Sequence, residues 1–299
     1  MDPHEQFCHN PACWASGASG LGNMVIHSRR EQRYKCVRCG KTCSATKGTA
    51  LYRAHKAPAA VEQVVTLLAH GCPPQAIVAA FGWDERTVAR YQREAGAQCR
   101  RLHERLVQAG QVALAHVQAD ELRVRVVGGV VWLAMALTVT SRPWLGGVVR
   151  VQRDGTLIRR LLERGRACGA YHALLLCTDG LRSYATQARR VFRDPQRTGQ
   201  AGRPRWALPA GLMLAQAVKQ YAHRRVVGMG RRVALGSAQA VQARLDATQA
   251  MAGAVINTAY IERLNATFRA RLAVLVRRSR AVARQTATLE AGMWLVGCC

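Results

Sequence analysis

His172-Ala173-Leu174-Leu175-Leu176-Cys177-Thr178-Asp179-Gly180 decides the fold. Residues 172–178 form a compact apolar run of strand length that ends in an acid and a glycine, and glycine allows close backbone approach. A helical period resumes near 183–190. Upstream a helix is expected around 156–164, and before it the period shortens to that of strands. Residues 112–118 run into Asp120, 131–140 form a buried run, and 146–151 a third. Strands in series followed by strand–helix alternation predict a mixed α/β sheet. Downstream a helix is predicted over 256–283, with Ile261, Leu264, Phe268, Leu272 and Leu275 along one side.

Around this sheet the chain is strongly basic: 44 Lys and Arg against 17 Asp and Glu give a net charge of +27 over 299 residues. That excess is larger than solubility requires and calls for a polyanion, nucleic acid first. A basic membrane-surface protein would need an amphipathic basic helix or an anchor. The opening Met1-Asp2-Pro3-His4-Glu5-Gln6-Phe7 shows neither a signal peptide nor a lipidation motif. The longest mostly apolar stretch, 126–139, is 14 residues, too short to span a bilayer. No membrane partner is therefore expected, and a cytoplasmic, nucleoid-associated location is. The hydrophobic share of 49% is that of a globular chain, so the charge decorates folded surfaces. Residues 192–232 hold nine basic residues against one acid, Asp194, and read as a DNA-facing insertion or long connection within a basic insertion at about 193–255.

Eleven cysteines, odd in number and mostly scattered, argue against a disulfide framework. Cys8-x4-Cys13 and, 22 residues further on, Cys36-Val37-Arg38-Cys39-Gly40 give two close pairs, the spacing of a four-thiolate zinc ribbon. Residues 1–50 show no helical period and have little else to hold them, so Zn²⁺ would be their staple. The Cys-x2-Cys-Gly knuckle is the specific half of the signal. Cys43 and, more weakly, His9 compete as ligands. Cys72, Cys99, Cys168 and Cys177 read as small buried hydrophobes.

Residues 51–108 turn helical. Val61, Val64, Val65 and Leu68 share a face before Gly71 and Pro73-Pro74, and Ile77, Val78 and Phe81 open a second helix. Gly82-Trp83-Asp84 supplies a turn and an N-cap for a third, which contains Val88 and Tyr91. Three short helices with a glycine-containing turn describe a helix-turn-helix. Its last helix would offer Arg86, Thr87, Arg90, Gln92 and Arg93 to the major groove. A helical linker with a solvated charged face would give the same pattern.

Metal-dependent phosphoryl chemistry needs converging oxygen ligands. Asp120 ends the first predicted strand, Asp179 ends the strand 172–178, and Glu262 lies on a helix that could lay it across the sheet. Acids capping strand ends share this spacing, so spacing does not decide the matter. The order of ribbon, helical unit, Asp120-Glu121-Leu122, Thr178-Asp179-Gly180-x3-Tyr184 and Asn257-Thr258-x3-Glu262-Arg263-x-Asn265 resembles insertion-sequence transposases of the DDE type, closest to the insertion-sequence-one-like group. The resemblance covers nearly the whole chain.

It implies a ribonuclease-H-like catalytic domain over 109–299, with Mg²⁺ (or Mn²⁺) held by Asp120, Asp179 and Glu262. It also implies a ribbon and helical unit that recognise terminal inverted repeats. The implied partner is double-stranded DNA, both element ends and target, bound by a homo-oligomer. Arg203 and Arg205, in Arg197-Thr198-Gly199-x3-Arg203-Pro204-Arg205, and Arg263 are further expected DNA contacts, while Asn257, Arg263 and Asn265 could position DNA or the glutamate.

There are departures from the family. Arg123 stands where the family often carries an aromatic residue, and Glu121 sits beside Asp120 although adjacent strand residues face opposite sides. Relatives continue past Gly297-Cys298-Cys299 through an aromatic and His-containing segment, so the resemblance implies a C-terminally truncated copy whose activity could be impaired. Two rival readings remain, a non-catalytic DNA-binding regulator and a nuclease without strand transfer. A zinc-ribbon RNA-binding protein would need aromatic stacking platforms, and aromatics are 6% of the chain and unclustered.

Overall fold

Three short strands, β1 (Met24–Ser28), β2 (Arg33–Cys36) and β3 (Thr42–Ser44), pair antiparallel in that order. They belong to the first of two compact units, Met1–Thr66 and Leu67–Cys299. The computed structural model describes residues 2–170, 172–196, 204–223, 225–249, 254–276, 283 and 285–299. Helix α1 (Pro58–Ala69) runs across the division. Helices α2 (Pro74–Phe81) and α3 (Glu85–Leu106) follow it. Proline opens α2, where its missing N–H is no loss, and Gly82 closes it in the left-handed region at φ 61°. Asp84 caps α3 by accepting the Arg86 N–H at 2.8 Å.

The second unit is built on a six-stranded sheet. Strands β4 (His116–Val126), β5 (Gly129–Thr138) and β6 (Trp144–Arg150) form an antiparallel meander, with Val126 paired to Gly129 across a two-residue turn. Gly128 in that turn has φ 82°, which glycine adopts without strain. Helix α4 (Gly155–Ala167) then leads to β7 (Leu174–Asp179), which pairs parallel to β4. Helix α5 (Arg182–Val191) and the short pair β8 (Asp194–Gln196) and β9 (Arg205–Ala207) precede β10 (Leu212–Ala222), parallel to β7, and β11 (Arg225–Leu235), antiparallel to β10. The strand order is β11-β10-β7-β4-β5-β6. Helices α6 (Ala238–Gln249), α7 (Ala259–Arg271) and α8 (Thr286–Gly297) complete the unit. The architecture is therefore the mixed α/β sheet expected from the sequence.

Strand alternation divides the core. Val117, Ala119, Leu174 and Leu176 pack with Leu157 and Leu161 of α4 and Tyr184 of α5 on one face. On the other, Leu122, Val124, Leu133 and Met135 pack with Phe268 of α7 and Trp294 of α8. Helix α3 lies along α8 so closely that a Cβ at Gly96 would stand 2.4 Å from the Ala291 carbonyl oxygen. Helices α2 and α3 thus belong to the same compact unit as the sheet.

Three expectations need correction. Asp120 lies in the middle of β4, not at its end, because the alternation continues through Leu122 and Val124 to Val126. The basic segment 192–232 is not merely a connection, since it contains β10, whose Leu212, Met213, Leu214 and Ala215 are buried in the sheet. The long helix predicted over 256–283 ends at Arg271. Leu272 turns extended there and a 3-10 turn, Ala273–Leu275, follows, keeping Leu272 and Leu275 in the core. Arg197, Thr198, Gly199 and Arg203 lie outside the described residues. Among the described residues no helix is long and apolar enough to cross a membrane.

Candidate functional site

Register brings the first two acids together. Ala119 of β4 stands opposite Thr178 of β7 in a parallel pair, which sets Asp120 beside Asp179 on the next step. Oxygens of Asp120, Glu121 and Asp179 lie within 4.8 Å of one another. Adjacent strand residues do face opposite sides here. Asp120 accepts the Asn265 side-chain N–H of α7 at 2.8 Å, while Glu121 accepts the Tyr184 hydroxyl of α5. Both carboxylates nevertheless reach the cluster, Glu121 from the other face of the strand.

Helix α7 is docked by a buried glutamine on the same strand. Gln118 Oε1 accepts the N–H groups of Tyr260 and Ile261 at 2.9 and 3.0 Å, satisfying donors that a helix start leaves open. Gln118 Nε2 donates to the Asn257 carbonyl at 3.0 Å, and Asn257 Oδ1 accepts the Ala259 N–H at 3.0 Å. Glu262 and Asn265 are one turn apart on this helix, so the turn that touches Asp120 also carries Glu262. Glu262 stands outside the 4.8 Å group and pairs with Lys219 of β10 at 2.9 Å. Of the three residues expected to position DNA or the glutamate, Asn257 accepts the Ala259 N–H at the start of α7, Asn265 holds Asp120, and Arg263 is exposed.

Electrostatics follow from this packing. Burial lifts the Asp120 carboxyl to about 6. The Glu121 N–H opposes the rise, and the charges of Asp179 and Glu262 add to it. Burial also raises Glu121, whose side chain is 0% exposed, against the Tyr184 hydroxyl and Arg153. Arg153, between β6 and α4, was not anticipated from the sequence. Its Nε and Nη2 donate to Glu121 Oε2 at 2.9 and 2.6 Å, Nη2 also reaches Asp179 Oδ2 at 2.9 Å, and the guanidinium lies 5.0 Å from the Trp132 ring centroid. Gln216 of β10 was missed too. Its Nε2 donates to the carbonyls of Asp179 and Leu181 at 2.7 and 3.1 Å, fixing the turn behind Asp179. The stretch from Leu212 to Val218, apolar but for Gln216 and bounded by Gly211 and Lys219, was the available signal for β10. Nothing in the sequence marks Arg153, whose contacts are 26 and 32 residues away.

The donor set suits a hard divalent cation, which takes carboxylate oxygens. Asn265 Oδ1, buried beside Asp120 with no hydrogen-bond partner among the described residues, is an open acceptor at the same place. Three of the four acids already carry cationic partners, Glu121 and Asp179 with Arg153 and Glu262 with Lys219.

In the first unit the sulfurs of Cys8, Cys13, Cys36 and Cys39 lie within 4.8 Å of one another, with Cys8 to Cys39 at 3.5 Å and Cys13 to Cys36 at 4.0 Å. A tetrahedral zinc with Zn–S bonds of about 2.3 Å sets its sulfurs ~3.8 Å apart, so the spacing fits. Cys43 and His9 stand outside this group. At Cys36, burial is outweighed by the Asn23 side chain (3.3 Å) and the N–H groups of Cys39 and Arg38, which bring the thiol down to about 6, whereas burial pushes Cys8 up to about 12. Such amide donors favour thiolate in a metal-ready cluster.

Of the helical residues, Arg86 and Arg93 are exposed on α3, and Thr87 and Arg90 are half-buried. Arg90 leans toward Glu94 at 3.9 Å and lies over Tyr91. Arg205 is exposed on β9. No model of a known protein family matches the chain, and no curated protein matches it in sequence.

Proposed function

We propose that the chain is a DDE-type DNA transposase, which binds double-stranded element ends as a homo-oligomer at the nucleoid and carries out metal-dependent cleavage and strand transfer. The observation that carries this reading is the meeting of Asp120, Asp179 and the Glu262-bearing turn of α7 along the β4–β7 seam. An antiparallel meander followed by helix-separated parallel strands supports a ribonuclease-H-like catalytic domain. The thiol quartet supports a zinc ribbon, with Cys8, Cys13, Cys36 and Cys39 as ligands. Arg86 and Arg93 on the open face of α3 support its role as the DNA-reading helix.

Asp120, Asp179 and Glu262 would hold Mg²⁺ or Mn²⁺, which supplies activation of a water or 3′-hydroxyl and charge stabilisation at the leaving oxygen. The chain's own residues orient these ligands. Asn265 holds Asp120, Gln216 fixes the turn behind Asp179, and Gln118 docks the helix that carries Glu262. Exposed Arg205 and Arg263 would take phosphates of the bound duplex.

Asp179→Asn is the test. Joined products in a strand-transfer assay should disappear, while gel-shift binding of element-end DNA stays nearly intact. Equal loss of both would remove Asp179 from the chemistry.

A second reading, the non-catalytic DNA-binding regulator, is favoured by one observation: Arg153 and Lys219 already hold two of the three acids. Divalent-dependent nicking of end DNA by the native chain separates the two readings, and joined rather than merely nicked products exclude a simple nuclease.

A further inference from the structure

A groove of about 770 Å³ opens on the α4/α5 layer, lined by none of the carboxylates of the candidate site. Arg159 and Arg166 of α4, Arg190 of α5, Arg193 and Trp206 of β9 line it, with Glu163 as its acid. It runs along α4 from Arg159 to Arg166 and reaches the C-terminal end of α5. Helix α5 starts just beyond Asp179, and its 10 residues at about 1.5 Å each set Val191 ~15 Å further on. Helix α4 likewise starts beside Arg153 and carries Arg166 near its other end. The groove is therefore separate from the carboxylate site.

Charge in the groove is unbalanced. Arg159 approaches Glu163 at 3.9 Å, and Arg166 pairs with Asp194 at 2.5 Å. Arg190 and Arg193 have no ion pair among the described residues. The Arg193 guanidinium instead lies 4.6 Å from the ring centroid of Trp206, which is 46% exposed. A duplex backbone asks only for cations, whereas a strand with free bases also uses an aromatic face, every base having a π-surface to stack. Guanidinium stacking holds such a ring in place.

We propose that this groove binds single-stranded DNA, with an unpaired base on Trp206 and the neighbouring phosphates on Arg190 and Arg193. The site stands independently of the carboxylate chemistry.

Fluorescence anisotropy with labelled oligothymidylate, a duplex of equal length and oligouridylate tests it in the full chain. An Asp179→Asn background makes the outcome independent of cleavage. Trp206→Ala, and separately Arg190→Glu with Arg193→Glu, should each weaken oligothymidylate binding about tenfold while duplex affinity is unchanged, and Trp206→Phe should retain most of it. Trp206→Phe and Arg190→Glu probe the same two contacts should Trp206→Ala alter the thermal melt. Unchanged oligothymidylate affinity in the folded variants overturns the proposal. So does an equal loss on duplex, which would reveal general charge attraction, or tighter binding of oligouridylate than of oligothymidylate.

Discussion

The four sulfurs of the first unit have one another, the amides of Asn10 and Asn23 and nearby backbone N–H groups as polar neighbours, whereas the acids of the sheet have arginine, lysine, tyrosine and asparagine side chains from their own chain. The difference teaches which cluster depends on an ion to fold. Around the four thiols at tetrahedral spacing the buried cluster is small, made of cysteines with Ala15, Met24 and Tyr34, and among the described residues no disulfide ties it together. The sheet beneath the acids has apolar layers on both faces and would stand without metal. On the proposed reading, zinc at the thiols is structural and the cation at the carboxylates exchangeable.

The largest expected effect breaks the thiol side. Cys36→Ser, or a strong chelator, should release zinc and abolish amide-exchange protection across β1–β3 while leaving β4 and β7 protected. Structural zinc sites contribute on the order of 10 kcal/mol, more than so small a unit can replace. Protection that survives the loss of zinc would make the quartet four packed thiols and nothing more.

On the carboxylate side the next effect falls on Arg153. Removing the cation from a fully buried Glu121 leaves an uncompensated charge, and breaking such pairs costs about 3–5 kcal/mol. Arg153 is itself 33% exposed, so the low end, about 3 kcal/mol, is expected for Arg153→Met in denaturant unfolding. Adding Glu121→Gln should recover most of the loss, because the amide still accepts from Tyr184 and needs no cation. Additive losses in the double variant would show that Arg153 acts elsewhere, for instance through Trp132.

The same contrast explains what the sequence disclosed. Cysteine pairs four and two residues apart are local, so the thiol quartet is visible as spacing. Asp179 was also legible, because a short apolar run that ends in Asp-Gly marks a strand end. The sequence pattern ends the first strand too early, at Asp120, whereas β4 runs on to Val126 and outlasts its neighbour β7. Its second half, Leu122 to Val126, carries Arg123 and Arg125 on alternate positions and loses the look of a buried strand. Arg153, Gln216 and Lys219 act through contacts 26 to 43 residues away. A lone polar residue carries no sign of a partner that distant, so these three could be found only in the folded chain.

The smallest effect concerns Asp120, and its sign follows from the raised carboxyl. Between the ordinary value of 3.8 and about 6 the folded chain binds a proton that the unfolded chain has lost, so stability falls as pH rises through this window. The penalty is complete above about 6 and absent below the ordinary carboxylate range. The full shift corresponds to about 3 kcal/mol, and hydration of a half-buried carboxyl lowers the expected value to roughly 1–2 kcal/mol. Asp120→Asn should therefore be the more stable chain in denaturant unfolding above pH about 7, and the gap should close near pH about 4. A gap of equal size at both ends would mean that the charge of Asp120 is not its cause. Magnesium sharpens the comparison with the thiols. A divalent cation gives the Asp120 charge a partner, so it should stabilise the native chain at neutral pH, lose that effect as the carboxyl protonates, and do little for Asp120→Asn.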